Sequence, residues 1–460
     1  MNGCVASALM LLVGLGRVGT NVARADDVAL DVDASMQLYE VRGPRAPVVL
    51  SRRRLVHDVA LWWSRALDAR EGARVSAAVR LRLDQDFGES CHVAREACFR
   101  QADPRASASW VPLATDGELD APELWVELTE SRTASRLRVG RQSVLEPAGL
   151  TRIDGASVRV APWRWLGASL WAGRVVRRTT LGGSDAYEPR GALQLDLQGI
   201  DPSRVPWADR PVPARAAGAA MELSAGNRAR VRIGLRDVRE PDDLVERLAF
   251  GALRLLPLDG AGLDATGVLD VALEPRVVEA VAAAEVDFGT PLRLRAEAAR
   301  HRPRFALGTI WAWFDLPARD ELALGARLVR GDLDAGVHAG LRWWEHGGER
   351  VEPFGRASAW LRLRPWTLEA RLEGWAAGTF VGGVEARRPL GSDVSVALHT
   401  STVHHREARG AGRTSVSSAT EVQVRLSEHA VVGATLEHAW GERAGHRLRG
   451  VVSLGVQVWR

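Results

Sequence analysis

Arginine at every second position is the feature of this chain best suited to chemistry. In Arg228-Ala-Arg-Val-Arg-Ile-Gly-Leu-Arg236, the guanidinia of Arg228, Arg230, Arg232 and Arg236 share one parity, while Val231, Ile233 and Leu235 occupy the other. Arg80 with Arg82, Arg293 with Arg295, and Arg362 with Arg364 repeat the ladder elsewhere. Glu123, Glu127, Glu369 and Glu373 are expected on the same side. A guanidinium is a rigid fork of donors that takes a carboxylate bidentately. Rows of arginine along a pore bias it toward anions, and opposed rows of arginine and carboxylate set up a transverse field that orients polar solutes. The formal net charge is only +4, so the competing expectation is that these groups neutralise one another in a wet, nonselective lumen.

Other candidate chemistries lack their context. Gly14-Leu-Gly-Arg-Val-Gly19 has the letters of a dinucleotide fingerprint but no strand before it and no helix after it. His404 and His405 are adjacent in an expected outer loop, but neighbours on one strand point apart and no third ligand is near. Cys91 and Cys98 are the cysteines left after a leader, with six residues between them in a loop, and are expected to form a disulfide. No spacing identifies a catalytic set, so no enzyme and no cofactor or metal is expected. All 61 basic residues are arginine, against 57 acidic ones, which is near-balance and no nucleic-acid footprint.

The elements that must position these residues follow from the same rhythm. Ser76-Ala-Ala-Val-Arg-Leu-Arg-Leu83, Ala359-Trp-Leu-Arg-Leu-Arg364 and Thr420-Glu-Val-Gln-Val-Arg-Leu426 also alternate, giving each strand one polar and one apolar face. About two dozen such segments without a helix between them predict an all-β, antiparallel, up-and-down transmembrane barrel of 16 to 24 strands. Only a closed barrel lets such strands face lipid without an unpaired edge. Residues 1–25 read as a signal peptide, with an apolar run from Val5 to Leu15 and Ala23-Arg-Ala25 as the cleavage site. Residues 26–460 read as the barrel. Connections expected to be long (42–54, 87–121, 143–152, 178–190, 346–352, 403–415) alternate with short ones (69–73, 130–135, 162–165, 331–333, 365, 428–429). The alternation breaks at Pro-rich 201–215 and short 225–227. Trp62-Trp63, Trp163, Trp165, Trp311, Trp313, Trp343-Trp344, Trp360 and Trp366 are expected near strand ends, at headgroup level.

Gly140, Arg141 and Gln142 close one strand, and Asp154 and Gly155 open the next. This pattern resembles porin-type barrels of the alginate-export kind, which carry a Gly-Arg-Gln strand end, a loop and a Phe-Asp-Gly strand start; Ile153 replaces the aromatic. The resemblance implies an outer-membrane channel and leaves the solute open. Arg141 and Asp154 would meet as an ion pair that either pins a loop or shapes the pore. The alternating Val452, Leu454, Val456 and Val458 resemble a C-terminal assembly signal, although Trp459 stands one position before the expected aromatic slot.

The expected function is passive diffusion of small hydrophilic solutes or ions across the outer membrane of a Gram-negative cell. The expected partners are outer-membrane lipid, the barrel-assembly machinery and the solute itself, with no nucleic acid and an open oligomeric state. The alternatives are a non-conducting barrel serving as scaffold or adhesion platform, plugged by 87–121, and a secreted β-rich binding protein.

Overall fold

The computed structural model describes residues 26–42, 48–68, 72–86, 118–176, 214–240, 244–272, 275–289, 291–302, 318–345, 351–376, 378–406, 412–441 and 445–459. The leader 1–25, Cys91, Cys98, Trp311 and Trp313 lie outside them. The described residues form 22 strands. These are β1 (Asp26–Arg42), β2 (Val48–Asp68), β3 (Ala73–Asp86), β4 (Glu118–Glu130), β5 (Ser135–Glu146), β6 (Gly149–Trp163), β7 (Leu166–Val175), β8 (Arg215–Ala225), β9 (Ala229–Arg239), β10 (Leu244–Leu258) and β11 (Ala261–Asp270). The others are β12 (Arg276–Asp287), β13 (Leu292–His301), β14 (Arg319–Arg330), β15 (Leu333–Trp344), β16 (Glu352–Leu363), β17 (Trp366–Trp375), β18 (Thr379–Pro389), β19 (Val394–Arg406), β20 (Gly412–Ser427), β21 (Ala430–Gly441) and β22 (Gly445–Trp459).

Each strand pairs antiparallel with its sequence neighbour, and β1 pairs with β22 from Ala29↔Trp459 to Arg42↔His446, so the sheet closes into a barrel. Closure satisfies every strand's backbone row on both sides, which an open sheet bearing this much apolar surface could not do. Strand number falls within the expected range. β7 pairs with β8 directly, so 178–190 and 201–215 fall in one connection, which restores the alternation that failed there. Two expected long connections are largely strand. β5 and β6 run on through most of 143–152 and are joined by two residues, 147–148. His404 and His405 lie on β19, where His404 meets Thr414 and His405 meets Thr379.

The pairing register separates the two faces. Leu235↔Ala249, Leu324↔Ala339, Val337↔Ala357 and Leu436↔Gly450 belong to one face, and their large side chains stay exposed. The other face is concave, because its side chains reach past intervening strands: Arg356 on β16 meets Glu321 on β14 at 3.0 Å, and Arg342 on β15 meets Glu373 on β17 at 3.4 Å. On β14 the outward Leu322, Leu324, Ala326 and Leu328 lie between Asp320 and Arg330. Ten steps of about 3.3 Å, tilted about 40°, make a belt roughly 25 Å tall, the height of a bilayer's apolar band. Trp163 and Trp165 stack at 5.4 Å beside the turn that closes β6 onto β7. Trp360 departs from the expected girdle, facing inward over Glu369.

Candidate functional site: an infolded hairpin on the charged inner wall

The inner wall is built from the alternate residues of each strand, and the expected ladders fall on it. On β9, Arg230, Arg232 and Arg236 face inward with Glu222 of β8 and Glu246 of β10. Arg80 makes a two-pronged bond to Asp58 at 2.8 and 3.0 Å, and Arg82 lies across from Asp58 and Asp120. Arg293 reaches Asp287 at 3.0 Å and Arg295 reaches Glu297 at 2.9 Å. Arg362 lies against the Trp360 ring, and Glu369 and Glu373 share that face. Two ladder members are displaced. Arg228 stands in the turn between β8 and β9 and Arg364 in the turn after β16, because each ladder outruns the strand that carries it.

The wall has one elaboration that strand counting did not anticipate. The tip joining β5 to β6 folds inward and packs on β8, β10 and β11. Ala148 joins Ala220, Leu248, Phe250 and Val268 in one buried cluster, and Ile153, Trp171 and Ala216 form a second, with Val144, Val175 and Val238 against it. Polar contacts hold the fold-over. The Trp171 indole donates to Glu146 at 2.9 Å, Arg232 lies 3.9 Å from the same carboxylate, and Arg236 donates to Thr151 at 3.0 Å while paired with Glu246 at 2.7 Å. Leu145 and Leu150, on the hairpin's other face, remain 73% and 60% exposed. An apolar pair is thereby presented in an otherwise polar interior.

The Gly-Arg-Gln and Asp-Gly motif makes this turn-in possible. Gly140, Gly155 and Gly173 face one another on β5, β6 and β7, and a Cβ on any of them would strike neighbouring backbone, Leu124 O or Trp125 Cα in the case of Gly140. Gly140 also has φ +123°, which side-chain-bearing residues rarely adopt. Glycine at a sharp corner of a barrel wall lets strands approach and bend. Arg141 then braces the corner on the outer face, forking onto Asp154 at 2.7 and 2.8 Å and donating to Ala121 O. Gln142 braces it inside, where it is 1% exposed, donates to Arg138 O and Gly155 O and accepts from Ser157. The Arg141–Asp154 pair lies on the face away from the lumen.

Beneath the hairpin is a recess of about 260 Å³, lined among others by Arg136, Arg138, Arg159, Arg232, Glu146 and Glu222. Arg138 bonds Glu127 at 2.7 Å and lies 3.9 Å over the Trp125 ring, which fixes its guanidinium against the wall. On the far side, β12 to β17 form a recess of about 600 Å³ in which Arg293, Arg327 and Arg371 alternate with Glu285, Asp334 and Glu369. Above it Glu321 accepts from Arg342 at 2.6 Å and Arg356 at 3.0 Å, while Arg342 lies near the Phe354 and Trp375 rings. The first recess has more arginines than carboxylates; the second is close to balanced.

No known protein family matches the sequence, and no curated protein does. Among solved structures, the chain is similar to OccAB4 of Acinetobacter baumannii, with 8% identity over 96% of this chain and 100% of that one, at a TM-score of 0.44. It is similar to OccK9 (OpdG) of Pseudomonas aeruginosa, with 11% identity over 95% and 98%, at 0.44. A variant of the ferric enterobactin receptor PfeA from Pseudomonas aeruginosa gives 9% identity over 95% and 81%, at 0.48.

Sequence reasoning found the ladders but missed Glu146, Trp171, Phe250 and the hairpin they hold. No local pattern in the sequence points to it. Trp171 and Phe250 each sit directly across from a glycine, Gly218 and Gly234, over which their rings lie. The same pairing recurs at Phe354 over Gly340, away from the hairpin, so it fills the wall without marking the fold-over.

Proposed function

We propose that the chain is an outer-membrane barrel that lets small hydrophilic solutes or ions diffuse passively through an arginine- and carboxylate-lined lumen. The observation that carries this reading is the division of the closed sheet, with an apolar belt about 25 Å tall outside and ion-paired side chains inside. A soluble barrel would put its apolar face inward, and a lipid-filled one would not line its interior with arginine.

In this reading Arg80, Arg82, Arg230, Arg232, Arg236, Arg293, Arg295, Arg362, Glu369 and Glu373 line the permeation path, and the infolded β5–β6 hairpin narrows it. The excess of guanidinium beside the hairpin favours anions there. The implied kinship with alginate-export barrels rests on the Gly140–Gln142 and Asp154–Gly155 motif alone. The test is a double substitution, Arg230→Glu with Arg232→Glu, in planar bilayers under a salt gradient. The reversal potential is expected to move toward cation selectivity; an unchanged value refutes the lining role, and the absence of any current refutes the channel.

A further inference from the structure

The two recesses of the inner wall differ in how their arginines are held. In the larger one, Arg293, Arg295 and Arg356 reach carboxylates at 3.0, 2.9 and 3.0 Å, and Arg327 and Arg371 pair closely with Asp334 and Glu369. In the recess beneath the hairpin only Arg138 is held in this way, by Glu127 at 2.7 Å. Arg136, Arg159 and Arg232 stand 3.6, 3.7 and 3.9 Å from Glu127, Glu222 and Glu146, beyond hydrogen-bond reach. Each of those carboxylates is already taken by a closer donor: Arg138, Arg230 at 2.8 Å and Trp171 at 2.9 Å. Arg136 and Arg159 are also directly opposite each other on β5 and β6, where like charges repel.

The same recess holds the opposite shortage. Glu146, on the hairpin that roofs it, has a side chain only 1% exposed. Its Oε1 accepts from Trp171, but its Oε2 is buried without a donor. A buried carboxylate oxygen left unbonded is costly, and so is a guanidinium held off its acceptor, which cannot shed its charge. A ligand that answers both shortages brings several acceptor oxygens for the arginines and one O–H for Glu146. Carboxylates and sulfate supply the oxygens without the proton. A phosphate ester has lost most of its remaining proton at neutral pH, its second pKa being about 6. Inorganic phosphate keeps a P–OH there, because its last proton leaves only in strong alkali.

We propose that the recess beneath the β5–β6 hairpin is a binding site for inorganic phosphate, with Arg136, Arg159 and Arg232 on its oxygens and Glu146 accepting from its P–OH. Access for the ligand rests on the proposed reading of the lumen as the wet side of the barrel, and not on conduction. Guanidinium forks suit the oxygens of a tetrahedral oxyanion. A site built to bond a hydroxyl rejects analogues that lack it, since its own polar group is then left unpaired. Selection here follows the proton and not the charge. Sulfate is the more highly charged anion at neutral pH, so simple attraction to the arginines would favour sulfate.

The test uses the whole chain in a neutral detergent, titrated calorimetrically at about pH 7 and constant ionic strength with sodium phosphate, sodium sulfate and glucose 6-phosphate. Phosphate is expected to bind about tenfold more tightly than either competitor. Glu146→Gln keeps an acceptor for Trp171 and sets an amide N–H where the free oxygen stood. It is expected to weaken phosphate about tenfold and to strengthen sulfate, reversing their order. Arg136→Gln with Arg159→Gln is expected to weaken both anions about tenfold. Heat-modifiable migration verifies that each variant is folded. The site is overturned by a parent that binds no phosphate or binds sulfate equally well, by an unchanged order in Glu146→Gln, or by phosphate binding untouched by the arginine pair. Planar-bilayer recordings keep the two readings apart. A barrel that selects phosphate in this pattern yet passes no current supports the site while refuting the channel, and a conducting barrel without the preference refutes the site alone.

Discussion

Replacing Arg236 with alanine tests whether the infolded hairpin narrows the lumen. The Arg236 side chain is 8% exposed and bridges two elements: it pairs with Glu246 on the wall and donates to Thr151 on the hairpin. A hydrogen bond from a charged donor contributes about 1.5–3 kcal/mol net. Taking about 2 kcal/mol for the hairpin's share, the undocked population rises roughly thirtyfold, so a minor state of about 1% becomes about a quarter of the molecules. Arg230→Ala is the control: it lies on the same strand and face, is 57% exposed, and pairs with Glu222 at 2.8 Å without touching the hairpin. Single-channel recordings of Arg236→Ala are expected to show a second, larger conductance level, absent from Arg230→Ala and the parent. Recording at 1 M as well as 0.1 M salt separates the causes, because an electrostatic change fades with screening while a wider passage persists. Traces for Arg236→Ala that match the parent at both concentrations would show that the hairpin is not held as described, or that it does not obstruct the path.

The remaining predictions concern the wall. Gly155→Ala, whose Cβ would strike Ala172 O and Gly173 Cα, is expected to abolish the heat-modifiable folded band, whereas Gly226→Ala, in open space at φ +59°, should cost only about 1 kcal/mol in urea unfolding. Asp154→Asn removes one partner of a pair in which Arg141 is 10% exposed; a loss of about 2 kcal/mol is expected, shrinking in an Arg141→Met background when measured as a double-mutant cycle. Val337→Arg on the belt should destabilise the barrel in bilayers by about 2–4 kcal/mol, while Ser358→Arg on the inner face should be nearly neutral; equal effects would contradict the assignment of faces.

How much of this was legible in the chain follows from what each feature depends on. The two-faced strands are local: Arg230, Val231, Arg232 and Ile233 declare their faces by parity alone, so the barrel, its polarity and a strand number near the true one could be read directly. Strand ends were less legible, since they depend on turn geometry. Arg228 and Arg364 keep the ladder's rhythm yet fall in turns, and 143–152, rich in turn-like residues, is mostly strand. The hairpin's infolding was not legible. It arises from contacts between residues far apart in sequence, such as Arg236 with Thr151 and Ala148 with Val268, and nothing within β5 or β6 announces the partners. The motif glycines were noticed as a resemblance, but the corner they form becomes apparent only when Gly140, Gly155 and Gly173 are seen side by side.

The seam between β1 and β22 also constrains how the protein comes into being. Ala29 stands opposite Trp459, so the first and last strands of the described chain are zipped to each other while every other strand has a partner close by in sequence. The cylinder cannot lock until β22 has been synthesised, and the cost of drawing the two strands together falls on one late event. By the same geography, a short peptide joining those ends, with fresh ends cut in the segment 407–411, should yield a circular permutant that keeps the wall intact and moves the seam to β19 and β20.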